Sequence, residues 1–412
     1  MTSYRQITHD RISQSSNLIP VLHLGNQALT GVFPTDATTA ITQGPLELVW
    51  CEDSGLLQLN HSYDPAEMYG DNYGYRSGLN QTMIDHLTNK VNYLERMVTL
   101  QDNDVVVDIG SNDATTLKAY SHQKIRRIGI DPTGKKFKHH YTDDITLVAD
   151  FFSEEAYHSV EINPARIVTS IAMFYDLESP ISFAKQVESI LADDGVWHLE
   201  QSYMPYMLRL NSYDTICHEH LEYYSLSTVK KILETANFRL IDVVTNDING
   251  GSFAVTAAKS TNKTIKSNQL IIDWMLEQED RMGLNTMHPY AAFKERVHKH
   301  RAELTSLIGA LNAAGKKVLG YGASTKGNVV LQFCGFTEKD IPAIAEVNPD
   351  KFNCVTPGTH IPIISELEAR AMNPDYFLLL PWHFKEGVLR REKHYMAQGG
   401  KFILPFPEVR II

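Results

Sequence analysis

The sequence predicts an α/β chain built from two nucleotide-type folds, and three observations point to it. Short apolar runs that end in glycine or an acid alternate with helix-like stretches, the rhythm of a parallel sheet with right-handed crossovers. That rhythm occurs twice, first from Val105 and again from Lys317. The length of 412 residues leaves room for two or three units at roughly 150 residues each. Hydrophobic residues at 43% and charged residues at 21% are an ordinary globular balance, which excludes a mainly disordered chain.

Taken in order, residues 1–72 form a small irregular N-terminal domain rich in Thr, Ser, Gly and Pro, with strand-like pieces at 46–50 and 56–59. Met83, Ile84, Leu87, Val91, Leu94 and Val98 recur at three- and four-residue spacing and predict a helix with one apolar face. Buried strands are predicted at 105–109, 127–130, 167–171 and 196–200, with a helix over 181–191. Ser227 is a suitable N-cap for a helix whose apolar face is Val229, Ile232, Leu233 and Ala236. Strands at 238–244 and 252–258 follow, around the turn Asn249-Gly250-Gly251. Two late antiparallel strands closing a parallel sheet suit a methyltransferase-type fold. The stretch 265–314 is mostly helical and charged and is expected to connect domains. The second α/β unit has strands at 317–322, 343–347, 376–380 and 401–404. Domains are expected at 1–72, 73–302 and 303–412.

The 38 Lys+Arg against 49 Asp+Glu leave a formal charge of −11, which argues against a nucleic-acid partner, since that calls for a basic face. The four cysteines, Cys51, Cys217, Cys334 and Cys354, lack the close spacing of a metal knuckle and are too few to staple a chain of this length. The N-terminus has no apolar signal core. The longest strongly apolar run, 376–382, is far short of the roughly 20 residues a bilayer requires. A cytoplasmic location without membrane contact is expected, so the sequons at Asn60, Asn80 and Asn262 are read as chance matches.

The most informative strand end is Val105 to Asp113, where a buried strand runs through Asp108 into Gly110 and Asn112. Gly110 lets the backbone come close to a ligand at the carboxyl edge of the sheet. Asp131, with Pro132 beside it, lies 21 residues after Gly110, where an acid can accept from both ribose hydroxyls. Asn112 and Ala114 stand where a pyrophosphate would favour glycine. The local residues therefore favour a cationic, phosphate-free ligand such as S-adenosylmethionine over NAD, with an empty structural turn as the remaining reading. Asp150 and Phe151, after the third strand, are candidates for adenine contacts; packing in the core is the other account of the aromatics.

Residues 214–224 (DTICHEHLEYY) are dense in groups that move protons. His218 or His220, oriented by Glu219, is a candidate general base. A polar surface loop is the plain alternative, and a metal site lacks a third ligand at zincin spacing.

With both motifs in hand, the chain resembles the nucleotide-sugar C-methyltransferases that make branched deoxysugars. The resemblance covers nearly the whole chain, in LGNQAL at 24–29, YGDNYGYRS at 69–77, DIGSND at 108–113, DTICHEHLEYYS at 214–225, GGS at 250–252, GYGASTKGN at 320–328 and PWHF at 381–384. It implies a zinc-bearing N-terminal domain, a methyltransferase domain and a C-terminal Rossmann-like domain that helps hold the nucleotide sugar. It also implies methylation at C3 of a nucleoside-diphosphate-linked 4-keto-6-deoxyhexose: a base removes the C3 proton and the enolate carbon attacks the sulfonium methyl. On this resemblance His220 is the base with Glu219 beside it, Tyr75 and Tyr73 line the sugar pocket, and His218 also faces the substrate.

Three departures stand out. The implied zinc site has two Cys-x-x-Cys pairs, but the matching positions read Asp10-Arg11-Ile12-Ser13 and Cys51-Glu52-Asp53-Ser54. One sulfur cannot rebuild a thiolate tetrahedron. No structural zinc is expected, and Leu46, Leu48, Trp50, Leu56 and Leu57 are expected to hold the domain instead. Cys217 stands where a member type has tyrosine, and Phe174 where it has an active-site histidine, for which Tyr175 is the candidate replacement.

The second glycine turn, Gly320 to Gly327, fits neither the P-loop nor the dinucleotide fingerprint. Gly322, Ser324 and Lys326 are candidates for the substrate's diphosphate at a helix N-terminus, with Glu346 and Lys351 at the next strand end. An idle crevice is the alternative. For the whole chain, an NAD-linked nucleotide-sugar oxidoreductase or epimerase and a non-catalytic nucleotide-sugar binder are the competing readings.

Overall fold

The computed structural model describes residues 4–69 and 75–412. The N-terminal part carries β1 (Tyr4–Gln6), β2 (Leu18–Ala28), β3 (Gln43–Cys51), β4 (Leu57–Leu59) and β5 (His61–Tyr63). β2, β3 and β4 pair antiparallel in sequence, and β1 pairs with β5 as a separate ribbon. Leu46, Leu48, Trp50, Leu56 and Leu57 are all buried; four of them share one core, and Leu56 packs into the core of the middle part.

The middle part supplies β6 (Val105–Ile109), β7 (Arg126–Ile130), β8 (Ile145–Val148), β9 (Ala165–Ile171) and β10 (Leu191–Ser202). β11 (Glu222–Tyr223), β12 (Phe238–Asn246) and β13 (Ser252–Lys259) follow. Seven of these strands form one sheet in the order β12-β13-β10-β9-β6-β7-β8, with β13 antiparallel to both neighbours. The order reverses between β6 and β9, which opens a crevice at their carboxyl ends. β11 leaves this sheet and pairs with β4, so the N-terminal sheet reads β11-β4-β3-β2.

The helix Leu226–Thr235 is capped by Ser225, whose hydroxyl accepts from Thr228 N, and not by Ser227. Ser227 lies inside the first turn, and its amide donates to Glu279 Oε2 at 2.9 Å.

The C-terminal sheet contains β14 (Val318–Tyr321), β15 (Ile344–Glu346), β16 (Ile363–Ser365), β17 (Tyr376–Leu379), β18 (Lys401–Leu404) and β19 (Arg410–Ile411). Their order is β16-β15-β14-β17-β18-β19, all parallel except β19.

The stretch expected to connect domains is two helices, Gln269–Met282 and His288–Ala313. The second runs through residues 302 and 303 and is no mere linker. Its Tyr290, Phe293, Val297, Leu304 and Ile308 share one apolar core with the N-terminal sheet and the C-terminal domain. Trp50 and Tyr290 pack ring to ring at 5.4 Å. The helix Thr325–Cys334 joins the same core and is bound directly to β2: Ala28 N donates to Gln332 Oε1 at 2.8 Å, and Gln332 Nε2 donates back to Ala28 O at 3.2 Å.

Candidate active site

The first glycine turn closes β6. Gly110 has φ +76, and a Cβ there would stand 3.1 Å from Met173 Cγ, so a side chain at this position is strained. Asn112 N donates to Asp131 Oδ2 at 2.7 Å, and Thr133 donates to Asp131 Oδ1 from both its amide and its hydroxyl at 2.6 Å. Asp131, with half-buried Pro132 beside it, is thereby fixed at the carboxyl edge. Asp150 and Phe151 are exposed at the end of β8, Phe151 by 50%. A fixed acid, an exposed aromatic and a turn with one glycine fit an adenosyl ligand without phosphates. Asp108 sits behind the turn and accepts from Thr169 Oγ1 at 2.5 Å, bracing β6 against β9. Burial, against the Thr169 and Thr116 hydrogen bonds, pushes its carboxyl up to about 7.

Segment 75–78 lies over this turn. Ser77 N donates to Asn112 Oδ1 at 3.0 Å, Asn112 Nδ2 to Tyr75 O at 3.2 Å, and Gly78 N to Asp113 Oδ2 at 3.0 Å. The Asn112 side chain therefore holds chain rather than cofactor. Tyr75 is 49% exposed at the rim, and Tyr73 lies outside the described residues.

The proton-moving block is anchored by β11 on the N-terminal sheet. His220 is half-buried, and its Nδ1 lies 2.9 Å from Thr215 O. A carbonyl only accepts, so Nδ1 carries the proton and Nε2 keeps its lone pair. The Tyr175 ring packs against the imidazole at 4.2 Å, while Phe174 is fully buried in the sheet core. Burial, and then the Lys326 charge, lower the His220 pKa to about 3, so the ring is neutral.

Two of the expected site residues are deeply buried. His218 is completely buried, its ring edge-on to Tyr63 at 4.6 Å at the junction with the N-terminal sheet. Cys217 is 1% exposed, and burial, followed by Glu219 and Asp176, pushes its thiol well above the usual range. Burial also raises the Glu219 carboxyl, which lies beside Thr30 and Gly31 of the N-terminal part.

The second glycine turn opens the C-terminal part, and its Lys326 reaches the methyltransferase part. Gly322 has φ +83 and packs on Pro381. Ser324 Oγ accepts from Gly327 N at 3.0 Å as the helix cap. Glu346 accepts from Ala323 N at 2.7 Å and from Val347 N and Asn348 N at 2.8 Å. Lys351 donates to Ala323 O at 2.8 Å and lies over the Phe33 ring at 4.3 Å. Glu346 and Lys351 are thus engaged within their own turn. Lys326 points away from it and donates to Asn249 O at 2.5 Å in the methyltransferase part.

Sequence reasoning quoted Asp214, Trp382 and His383 in motifs without assigning them roles. Trp382 Nε1 donates to Asp214 Oδ2 at 2.8 Å, which ties the C-terminal domain to the block. Burial, then Lys326, lower the His383 pKa to about 3. The signal was their place in dense polar motifs; their proximity is a product of the fold.

The positions matching the implied zinc ligands do not fit the metal. Asp10 Oδ2 accepts from Ile12 N, Ser13 N and Ser13 Oγ at 3.2, 2.6 and 2.7 Å, and Oδ1 from Gln58 Nε2 at 2.7 Å. Ser13 Oγ lies 3.8 Å from Cys51 Sγ. Hydrogen bonds occupy the carboxylate, and serine hydroxyls are not zinc donors. Among the described residues no group of three or more His, Cys, Asp or Glu is arranged for a metal, and no helix is long and apolar enough to cross a membrane.

Family models match in three segments: "Putative zinc binding domain" over 11–69, "Methyltransferase domain" over 83–243 and "C-methyltransferase C-terminal domain" over 247–407. The C-methyltransferase NovU of Streptomyces niveus is 30% identical over 412 residues, 99% of this chain and 97% of that protein. Among solved structures, the mitomycin 7-O-methyltransferase MmcR is 12% identical with a TM-score of 0.34, covering 43% of this chain and 54% of its own. The plantazolicin methyltransferase BpumL, in complex with SAH, is 12% identical with a TM-score of 0.34, covering 43% and 83%. The full-length relationship sets aside the NAD-linked and non-catalytic readings: the chain belongs to the C-methyltransferase family and is an S-adenosylmethionine-dependent C-methyltransferase.

Proposed function

We propose that this methyltransferase acts at C3 of a nucleoside-diphosphate-linked 4-keto-6-deoxyhexose, with His220 as the base. The observation that carries the reading is the fixed tautomer of His220: Nδ1 is committed to Thr215 O, the Nε2 lone pair is left over, and the ring lines a small cavity with Tyr175, Ser202 and Glu222. A carbonyl at C4 acidifies the C3 proton, and a positioned base contributes about 10²–10⁴-fold. Burial keeps the imidazole neutral, and negative charge developing on the substrate raises its affinity for the proton.

Asp131, Phe151 and the Gly110 turn would hold the cofactor by ribose hydroxyls, adenine and close backbone approach. When bound there, S-adenosylmethionine would supply an electrophilic methyl group. Tyr175 holds the imidazole plane, and Tyr75 at the rim faces the entering sugar. The proposal includes a soluble cytoplasmic setting, a small N-terminal domain ahead of a methyltransferase domain and a C-terminal domain that the helix His288–Ala313 joins, and C-terminal contacts to the nucleotide.

The test is incubation of the full chain in heavy water with dTDP-, GDP- and CDP-linked 4-keto-6-deoxyhexoses. Deuterium should enter C3 of one of them, and His220→Ala should abolish this while S-adenosylmethionine binding, read by calorimetry, persists. Undiminished exchange in that variant would reject the base.

A further inference from the structure

The second glycine turn was expected to hold a diphosphate, but its lysine is aimed elsewhere. Lys326 Nζ crosses from the helix Thr325–Cys334 to Asn249 O, 2.5 Å away in the turn between β12 and β13. That contact places the ammonium in the surroundings of the proton-moving block. Asp214, at the start of the block, is linked to the same C-terminal domain through Trp382 at 2.8 Å, and Trp382 lies against Gly250, next to Asn249. An ammonium has three donors, and Asn249 takes one of them. It is the charge that acts on His220, His383 and Asp214.

We propose that Lys326 is a catalytic residue that the C-terminal domain contributes to the methyltransferase cleft: its ammonium hydrogen-bonds the substrate's carbonyl oxygen and holds the negative charge of the enolate. In this step the C3–H bond breaks, the proton passes to His220 Nε2, and the electron pair moves through the new C3–C4 double bond onto the C4 oxygen beside Lys326. No other reactant is required. Asn249 O orients the ammonium, and partial burial strengthens its field. Burial, and then the same charge, keep His220 neutral and ready to accept a proton; His220, Tyr175 and Glu222 line one small cavity. This inference rests on the substrate reading above.

The experiment compares wild type, Lys326→Met and Lys326→Arg, all full length, with the same three nucleotide sugars in heavy water. Lys326→Met is expected to lower kcat and C3 exchange about 10²–10³-fold with KM nearly unchanged, the loss typical of removing one oxyanion donor. Lys326→Arg should recover part of this, and unaltered S-adenosylmethionine binding should show that both variants fold. The acid limb of kcat/KM should move to higher pH in Lys326→Met, because the cation that depresses the imidazole is gone. A raised KM with unchanged kcat would make Lys326 a ground-state diphosphate ligand and overturn the proposal. Exchange in Lys326→Met equal to wild type would also overturn it and leave His220 untouched. No exchange by the wild type with any of the three sugars would overturn the substrate reading, and the lysine's role with it.

Discussion

The two glycine turns use one local device for different ends. In the first, Gly110 at φ +76 is followed by Asn112, whose amide donates to Asp131 at 2.7 Å. In the second, Gly322 at φ +83 is followed by Ala323, whose amide donates to Glu346 at 2.7 Å. Each acid ends the neighbouring strand and ties its turn shut. The surroundings separate them. Beside the first turn, Asp150 and Phe151 stay exposed. Beside the second, Lys351 and Pro381 fill the space from within the chain, and Phe33 arrives from the N-terminal part. A glycine turn with an acid is thus a scaffold that the tertiary setting converts either to a ligand site or to a mount for a side chain such as Lys326.

The comparison breaks most sharply under exchange of the acids. Asp131→Ala should weaken S-adenosylmethionine binding about 10–100-fold, since each charged hydrogen bond lost is worth about 1.5–3 kcal/mol. Glu346→Ala should leave that affinity unchanged and instead lower stability by about 1–3 kcal/mol, because buried amides lose their acceptor. Calorimetric titration and urea melts read the two effects, and the reverse pattern would end the distinction.

A pH series sharpens it next. Asp108 carries a carboxyl raised by burial to about 7, against 3.8 for an ordinary aspartate. Between those values the folded chain binds more protons than the unfolded one, so this group makes stability fall as pH rises from about 4 to about 7. Asp108→Asn should flatten that slope, by a few kcal/mol in order of magnitude, in urea melts at pH 5 and pH 7. An unchanged slope would remove Asp108 from the account.

The N-terminal unit offers a smaller test. Asp10→Ala should cost about 1–3 kcal/mol by leaving buried donors unmatched, whereas EDTA should leave the melting temperature of the native chain unchanged. A chelator-sensitive melt would show that a metal and not the Asp10 hydrogen bonds closes this unit. The smallest effect is expected from Ser324→Ala, about 0.5–2 kcal/mol from a lost helix cap, with cofactor affinity unaffected.

Much of this was legible beforehand for specific reasons. Val105 to Ile109 had to be a buried strand, because five consecutive apolar or strand-compatible residues run into a glycine, and β6 has those limits. The late antiparallel pair was visible in the Asn249-Gly250-Gly251 turn, and β12 and β13 flank it. His220 could be named as a base but not separated from His218 by residue type; only burial against Tyr63 distinguishes them. Ser227 was a reasonable cap, yet Ser225 two residues earlier has the extended backbone that a cap requires. The helix His288–Ala313 looked charged and connective because its exposed face dominates the composition, and its buried face is evident only once three units pack on it.

The sequence by itself determined the local pieces: which runs become strands, where glycine relieves a positive φ, and that one thiol cannot form a zinc tetrahedron. Those follow from backbone sterics, side-chain periodicity and ligand chemistry, which act within a few residues. Tertiary structure alone decided which histidine keeps a free nitrogen and that Lys326 leaves its own helix for the neighbouring domain. It also decided that Asp214 meets Trp382, 168 positions away. Burial and long-range proximity set those outcomes, and both belong to the packed chain as a whole.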